Sequence, residues 1–307
     1  MPNNLATIAY RAYTLSRLEE LTGIGKNNIA RWISLYSAVK GISLQADLSN
    51  LLRSAWLSGI VTAVETALND TLKEVLTAYP LKLGKKQVTV QELVEFPSNT
   101  EVIRRMAEEV VNELSYKNAK DYLAQWQNYA GKLSALTEGQ ILTWAEIKAT
   151  RDVYTHNNGK RNEIYKRKAG VKARREDNNG NLPVDEPYLT AASHLAADIV
   201  DNISSSLTAT FSKCTKEAVF REMWDSTCCG EMVSFDKQWN LKKSPHRNKF
   251  KWAWSHSEKA MYDVFLRIFH GESPDISTDI HYALRRWPAN TNEGAVIRSW
   301  IENPFFF

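Results

Sequence analysis

The sequence predicts an all-α protein. Apolar residues recur every three or four positions along several long stretches, while glycine and proline are sparse, at 13 and nine in 307 residues. Few segments alternate strictly enough to read as strands. With 43% hydrophobic and 24% charged residues, the composition is that of a folded globular chain of about two domains. The opening "MPNNLATIAYRAYTLSRLEELTG" has no apolar core of a signal peptide, and the uncharged run "SAWLSGIVTAV" is too short to span a bilayer. A cytoplasmic protein with no membrane partner is the expectation.

Three regions are expected: an N-terminal helical segment over residues 1–45, a helical bundle over 46–212, and a Trp-rich, mainly helical region over 213–307. In the first, "LEELTGIGKNNIARW" reads as two helices broken at a Gly23 turn. It is either a helical hairpin docked on the bundle or a helix-turn-helix reader of DNA, with Asn27, Asn28 and Arg31 where base contacts would lie.

The bundle opens with a long helix from Leu51 to Tyr79, in which Leu57, Ile60, Val61, Val64, Leu68, Leu72 and Val75 keep helical spacing until Pro80 stops it. Glu65 falls inside that apolar arc, between the directions of Val61 and Leu76. A carboxylate so placed calls for a cationic or hydrogen-bonding partner.

"SNTE" sets Ser98 and Glu101 at capping-box spacing, starting a helix that turns Ile103, Met106, Val110, Val111 and Leu114 inward. It continues, bent or broken near Asn118, through "AKDYLAQWQNYAG" to Gly131. A second capping box, Thr137 with Gln140, starts a helix that delivers Arg151 and His156 at its C-terminal end, where Asn157, Asn158 and Gly159 stop it. A basic loop and the exposed connection "REDNNGNLPVDEP" follow, then a helix from about Tyr188 to Phe211 with Leu195, Ile199, Ile203 and Leu207 in register. Helices of this length and capping make a bundle.

The formal charge of +4 is unevenly spread. Between Lys160 and Arg175 stand eight Lys or Arg against the single acid Glu163, and between Lys237 and Lys251 six against none. Both are patches for a polyanion. Cys214, Cys228 and Cys229 cannot all pair within one chain, which suits reduced thiols. A zinc site from Cys228, Cys229, His246 and His256 lacks the usual Cys-x-x-Cys spacing, so no metal or other cofactor is expected.

Arg151 and His156 have the chemistry to cleave a phosphodiester without metal. A helix C-terminus favours a cationic neighbour, and histidine is the side chain that exchanges protons near neutrality. Arginine presents a planar donor fork matched to phosphate. One group moves protons and the other neutralises charge on the phosphoryl oxygens. Their five-residue spacing separates them by about 140° around the axis, so one chain need not complete the site. Two copies meeting across a two-fold axis would bring both pairs to one phosphate. The competing reading is structural: Arg151 pairs with Glu65 for stability, and His156 caps a helix.

Here the chain resembles the HEPN family of helical-bundle ribonucleases, whose signature is Arg, four to six residues often beginning with a polar one, then His. "RDVYTH" fits with Asp152 in the polar position, and "THNNGKRNEIYKRKAG" is similar to the family's turn, Asn-rich loop and tyrosine. "RSAWLSGIVTAVETALNDTLKEVL" is similar to its first bundle helix, with Glu65 as the acid that faces the motif arginine.

The resemblance spans about Asp47 to Ser212 and implies a HEPN-like bundle acting as a metal-independent endoribonuclease. It implies a homodimer with a composite site, in a bacterial toxin or antiviral defence setting, and with an antitoxin or defence-system partner. In that reading His156 moves the proton while a 2′-hydroxyl attacks phosphorus, Arg151 stabilises the phosphoryl group, Asp152 supports the site and Glu65 holds Arg151. Tyr154 and Asn157 are auxiliaries, and Lys160, Arg161, Lys166, Arg167 and Lys168 bind RNA. A non-catalytic interaction module of the same family, or a DNA-binding regulator, are the alternatives.

In the C-terminal region "KQWNLKKSPHRNKFKWAWSH" interleaves cations with Trp239, Phe250, Trp252 and Trp254. That pattern fits either single-strand binding by stacking or a packed segment with lysines on its outside. The terminal "PFFF" is expected to dock in a groove of this chain or a partner.

Overall fold

A computed structural model describes residues 5–39, 46–84, 98–232, 255–270, 280–288 and 290–305. The basic and aromatic stretch from Lys237 to Trp254, including His246, and the last two phenylalanines lie outside these residues. Among the described residues the chain is all-α. They contain no strand, only an isolated antiparallel bridge between Lys160 and Asn181. No helix among them is long and apolar enough to cross a membrane.

The helices are α1 (Thr14–Val39), α2 (Ala46–Ala78), α3 (Asn99–Ser115), α4 (Ala119–Ala130), α5 (Glu138–Asn157), α6 (Glu163–Ala169) and α7 (Glu186–Phe211). The C-terminal region adds α8 (Lys216–Asp225), α9 (Cys228–Met232), α10 (His256–His270), α11 (Ile280–Arg286) and α12 (Asn292–Glu302). The chain divides into two compact units: residues 16–75 with 107–210, and residues 1–15 with 76–106 and 211–307. The boundary expected near Ser212 falls beside the one at Thr210. The expected N-terminal segment, however, is shared: its first residues join the C-terminal unit and Ser16 onward joins the bundle.

The bundle unit is built on α2 and α7. Leu57, Ile60, Val61, Val64, Leu68 and Leu72 are at most 1% exposed, as are Ile199, Val200, Ile203 and Leu207. Each such side chain contributes about 1.5–3 kcal/mol by leaving water, so truncating any of them to alanine costs about 2–5 kcal/mol. Trp126 of α4, fully buried, donates from Nε1 to the Leu68 carbonyl at 3.1 Å and ties α4 to α2.

The N-terminal expectation needs correction. Helix α1 runs unbroken through Gly23 and Gly25, so neither a hairpin nor a helix-turn-helix exists there, and Asn27, Asn28 and Arg31 lie on one continuous helix. Gly23 makes no turn and no close contact, and it is Gly25 that serves close approach. A Cβ on Gly25 would stand 2.9 Å from the Ala67 methyl and 3.4 Å from Val200. Gly59 of α2 plays the matching part, since a Cβ there would lie 2.1 Å from the Trp32 ring.

The caps that frame the site follow their sequence signals. Asn118 accepts from the Asp121 amide and starts α4, which ends at Gly131 with φ 125°. Thr137 and Gln140 form the full reciprocal capping box of α5. At α3 the Ser98 hydroxyl accepts from the Glu101 amide, but the Glu101 carboxylate turns to Arg104. The supposed basic loop is a second correction. Asn162 caps a short helix, α6, and a 3₁₀ turn (Gly170–Lys172) follows, so its cations stand on ordered backbone.

The other unit packs Ile8, Val219, Phe220, Met223, Trp224, Met261, Phe265, Ile297, Trp300 and Phe305 into one core. Arg11 makes a two-pronged pair with Glu222 at 3.0 and 2.9 Å. Phe305 is 1% exposed and its carbonyl accepts from Trp300 Nε1 at 3.0 Å, so this terminal aromatic docks on its own chain. Cys214, Cys228 and Cys229 are free thiols.

Candidate functional site

Helix α5 carries the site. Its C-terminus is closed by Asn158 in the left-handed conformation (φ 49°) and by Gly159 (φ 80°), which together leave His156 in the last turn. Asn158 tolerates this region better than a branched residue, and Gly159 has no side chain to clash with Tyr154, whose ring would lie 3.0 Å from a Cβ.

Arg151 is held from two directions. Its Nη2 donates to Glu65 Oε2 at 2.9 Å, and Nε lies 3.2 Å from Asp152 Oδ1, within ion-pair range although without hydrogen-bond alignment. The inward carboxylate of α2 therefore has the partner that its position demanded, and a second one. Lys148 Nζ reaches Glu65 Oε1 at 2.6 Å. Asp152 in turn accepts from Lys168 of α6 at 2.7 Å. The result is a chain of alternating charge, Lys148, Glu65, Arg151, Asp152, Lys168, with one cation in excess. Its members are 18 to 43% exposed in the side chain, so they are screened less than surface pairs and still reach solvent.

These residues line an open cleft of about 910 Å³. Glu65, Arg151, Asp152 and His156 all face it, together with Lys117, Lys120, Lys148, Arg167 and Lys168. Among the described residues six Lys or Arg thus stand against two carboxylates. His156 is exposed, and nothing among the described residues engages its imidazole. Asp152, four residues before it, is its closest face neighbour on the helix, about 40° away around the axis. Arg151, Asp152 and His156 share one opening despite the wide angle between the first and last.

The remaining expected site residues have other duties. Tyr154 donates to the Leu182 carbonyl at 2.6 Å, and burial raises its phenol above the ordinary range. Asn157 donates from Nδ2 to the Lys160 carbonyl at 2.5 Å and closes the turn. Neither lines the cleft. Among the basic residues, Arg167 and Lys168 line it, whereas Arg161 pairs with Glu176 at 3.2 Å and Lys166 with Glu163 at 2.5 Å. Lys160 is exposed at the bridge to Asn181.

Two features escaped the sequence reading. Lys148 sits three residues before Arg151 on the same helix face, a spacing that alone would have nominated it. The other is a buried network centred on Glu146, which is 3% exposed. Its Oε1 accepts from Thr150 at 2.7 Å, Tyr165 at 2.7 Å and Arg174 Nε at 2.8 Å, and Oε2 accepts from Tyr188 at 3.0 Å. Arg174 also stacks on the Tyr188 ring at 3.7 Å. This network fastens the α6 segment, with Arg167 and Lys168, to the helix that bears Arg151. The signal was available, since Glu146 shares a stripe with Ala149, Thr150 and Val153, all buried. Burial, reinforced by the Glu146 carboxylate, pushes both the Tyr165 and Tyr188 phenols up.

Comparison of the chain with protein-family models, curated proteins and solved structures finds no match.

Proposed function

We propose that the chain is a metal-independent endoribonuclease of the HEPN type, acting as a homodimer. The observation that carries this reading is the Arg151 guanidinium, anchored by Glu65 yet open on the same cationic cleft as His156, whose imidazole has no partner among the described residues. A purely structural pair has no need of an exposed histidine in a cleft where cations outnumber carboxylates.

The chemistry follows from the groups. An RNA phosphate is drawn by the excess positive charge and takes donors from Arg151 as its oxygens crowd around phosphorus. The 2′-hydroxyl attacks the adjacent phosphorus while an imidazole removes its proton, the bond to the 5′-oxygen breaks, and that oxygen takes a proton. Products are a 2′,3′-cyclic phosphate and a 5′-hydroxyl. A second His156, from the other copy, supplies the acid while the first acts as base. Asp152 holds Lys168 and steadies the Arg151 edge. Such an activity suits a toxin or an antiviral effector kept in check by a partner protein.

The test is incubation of the purified protein with total RNA in EDTA, beside His156→Ala and Arg151→Ala. Cleavage that both substitutions abolish is expected, and cleavage retained by both refutes the site. The DNA-binding alternative loses its motif with the unbroken α1.

A further inference from the structure

We propose that Tyr116 is a stacking platform for one unpaired base of the bound RNA, and that Lys117 holds the neighbouring phosphate. This rests on the ribonuclease reading and adds to it the residues that grip the nucleotide beside the reacting phosphate.

The turn joining α3 to α4, residues 115–119, lines the same cleft as Arg151 and His156. Among the described residues three aromatic side chains border that cleft. Tyr122 is 6% exposed and donates to Asn69 Oδ1 at 2.6 Å, and Trp144 is 2% exposed, so both belong to the core. Tyr116 is 91% exposed, and neither its ring nor the Lys117 ammonium has a partner among the described residues. An aromatic ring displayed to water at the edge of a cationic cleft offers a π-face to any base, since stacking needs no particular hydrogen-bond pattern.

The turn is fixed at both ends. The Lys117 amide donates to the Leu114 carbonyl at 2.9 Å, and Asn118 both caps α4 and donates to Asp121 Oδ2 at 2.7 Å. A tyrosine on so short a pinned turn gives up little conformational freedom when a base settles on it. The cleft, at about 910 Å³, has the volume of a site for a ligand much larger than one phosphate. Lys120 is drawn toward Glu138 at 3.4 Å, which leaves Lys117 and Arg167 as the lining cations without a carboxylate partner among the described residues.

The experiment uses the full chain and a 2′-O-methyl oligoribonucleotide with 2-aminopurine placed at successive positions. The methyl group removes the nucleophile, so binding is read without cleavage, and cleavage of unmodified RNA is measured separately. Wild type, Tyr116→Phe and Tyr116→Trp are expected to quench the fluorophore at one position. Tyr116→Ala is expected to lose that quenching and to weaken binding by about 5- to 150-fold. Its loss in cleavage falls on KM, with kcat little changed, and its melting temperature stays that of the wild type. Lys117→Gln is expected to lower the slope of log K against log salt by about 0.7.

A Tyr116→Ala variant that cleaves, binds and quenches like the wild type overturns the stacking role and leaves the ribonuclease reading standing. So does one whose only change is a weaker association between copies, which makes Tyr116 a dimer contact. A wild-type protein that neither binds the oligonucleotide nor cleaves RNA in EDTA overturns both.

Discussion

Replacing Glu146 with leucine tests how the cationic segment is held to the site helix. The carboxylate is 3% exposed and accepts from Thr150, Tyr165, Arg174 and Tyr188. Leucine leaves three hydroxyls without their acceptor, at about 1 kcal/mol each when they reorient in part. Arg174, 25% exposed in its side chain, rehydrates incompletely and adds about 1–2 kcal/mol. The expected loss is about 4–5 kcal/mol, a large share of the about 5–15 kcal/mol that folded chains possess.

Arg174→Met strands the carboxylate instead and costs about 3 kcal/mol. The double variant removes both charges together and is expected to be no less stable than Glu146→Leu alone, a coupling of at least about 3 kcal/mol. Denaturant unfolding by circular dichroism measures the cycle, and hydrogen exchange at residues 163–175 shows whether the segment is released. Single losses that add within about 0.5 kcal/mol, or a Glu146→Leu cost below about 1 kcal/mol, refute the tethering role.

Glu65→Gln keeps the shape but removes the charge that holds Arg151 and Lys148; cleavage is expected to fall about 10- to 100-fold, read as kcat/KM on a defined RNA. Gly59→Ala pushes a methyl into the Trp32 ring and is expected to destabilise by about 1–2 kcal/mol net of the gain in helix propensity, measured by denaturant unfolding. Alkaline stability has a defined sign. Tyr165 and Tyr188 are raised above 10.0 in the fold, first by burial, so their contribution is complete below pH 10 and is lost as pH climbs through their folded values. Phenolate absorbance during alkaline unfolding checks this, and tyrosines that all ionise near pH 10 before unfolding refute it.

Helix ends were the most readable part of the sequence, because capping is a local, stereochemical signal. Thr137 with Gln140, Asn118 and the Asn158-Gly159 stop all sit where a reader of side-chain oxygens and left-handed residues would place them. Glu65 was readable for another reason, since a carboxylate within an apolar arc must be answered. The same reasoning applied to Glu146, which shares a buried stripe with Ala149, Thr150 and Val153, calls for a partner too, although it does not name Arg174 as the one. Gly23 misled because a glycine in a helical run signals a break, whereas here the helix runs on through it and it is Gly25, two residues later, that lets Ala67 and Val200 approach. The crowd of cations after Lys160 suggested a solvated loop and hid the cap at Asn162.

The bridge between Lys160 and Asn181 has a consequence for how such a protein diversifies. Gly159 and Leu182, and Arg161 and Gly180, are also joined by backbone hydrogen bonds at 2.9 and 3.0 Å, so the chain leaves the helix end and returns to almost the same place. Everything between is an excursion closed by this backbone pairing and by a few side chains of its own, Tyr165 and Arg174 on Glu146 and Asp177 on the Asn179 and Asn181 amides. Substitutions, insertions or wholesale exchange there would leave the neighbouring helices in register, provided a tyrosine and an arginine still reach Glu146. Two of the cleft's cations, Arg167 and Lys168, are therefore carried on a segment tied at its ends and at Glu146, while Arg151 and His156 stand on α5 itself.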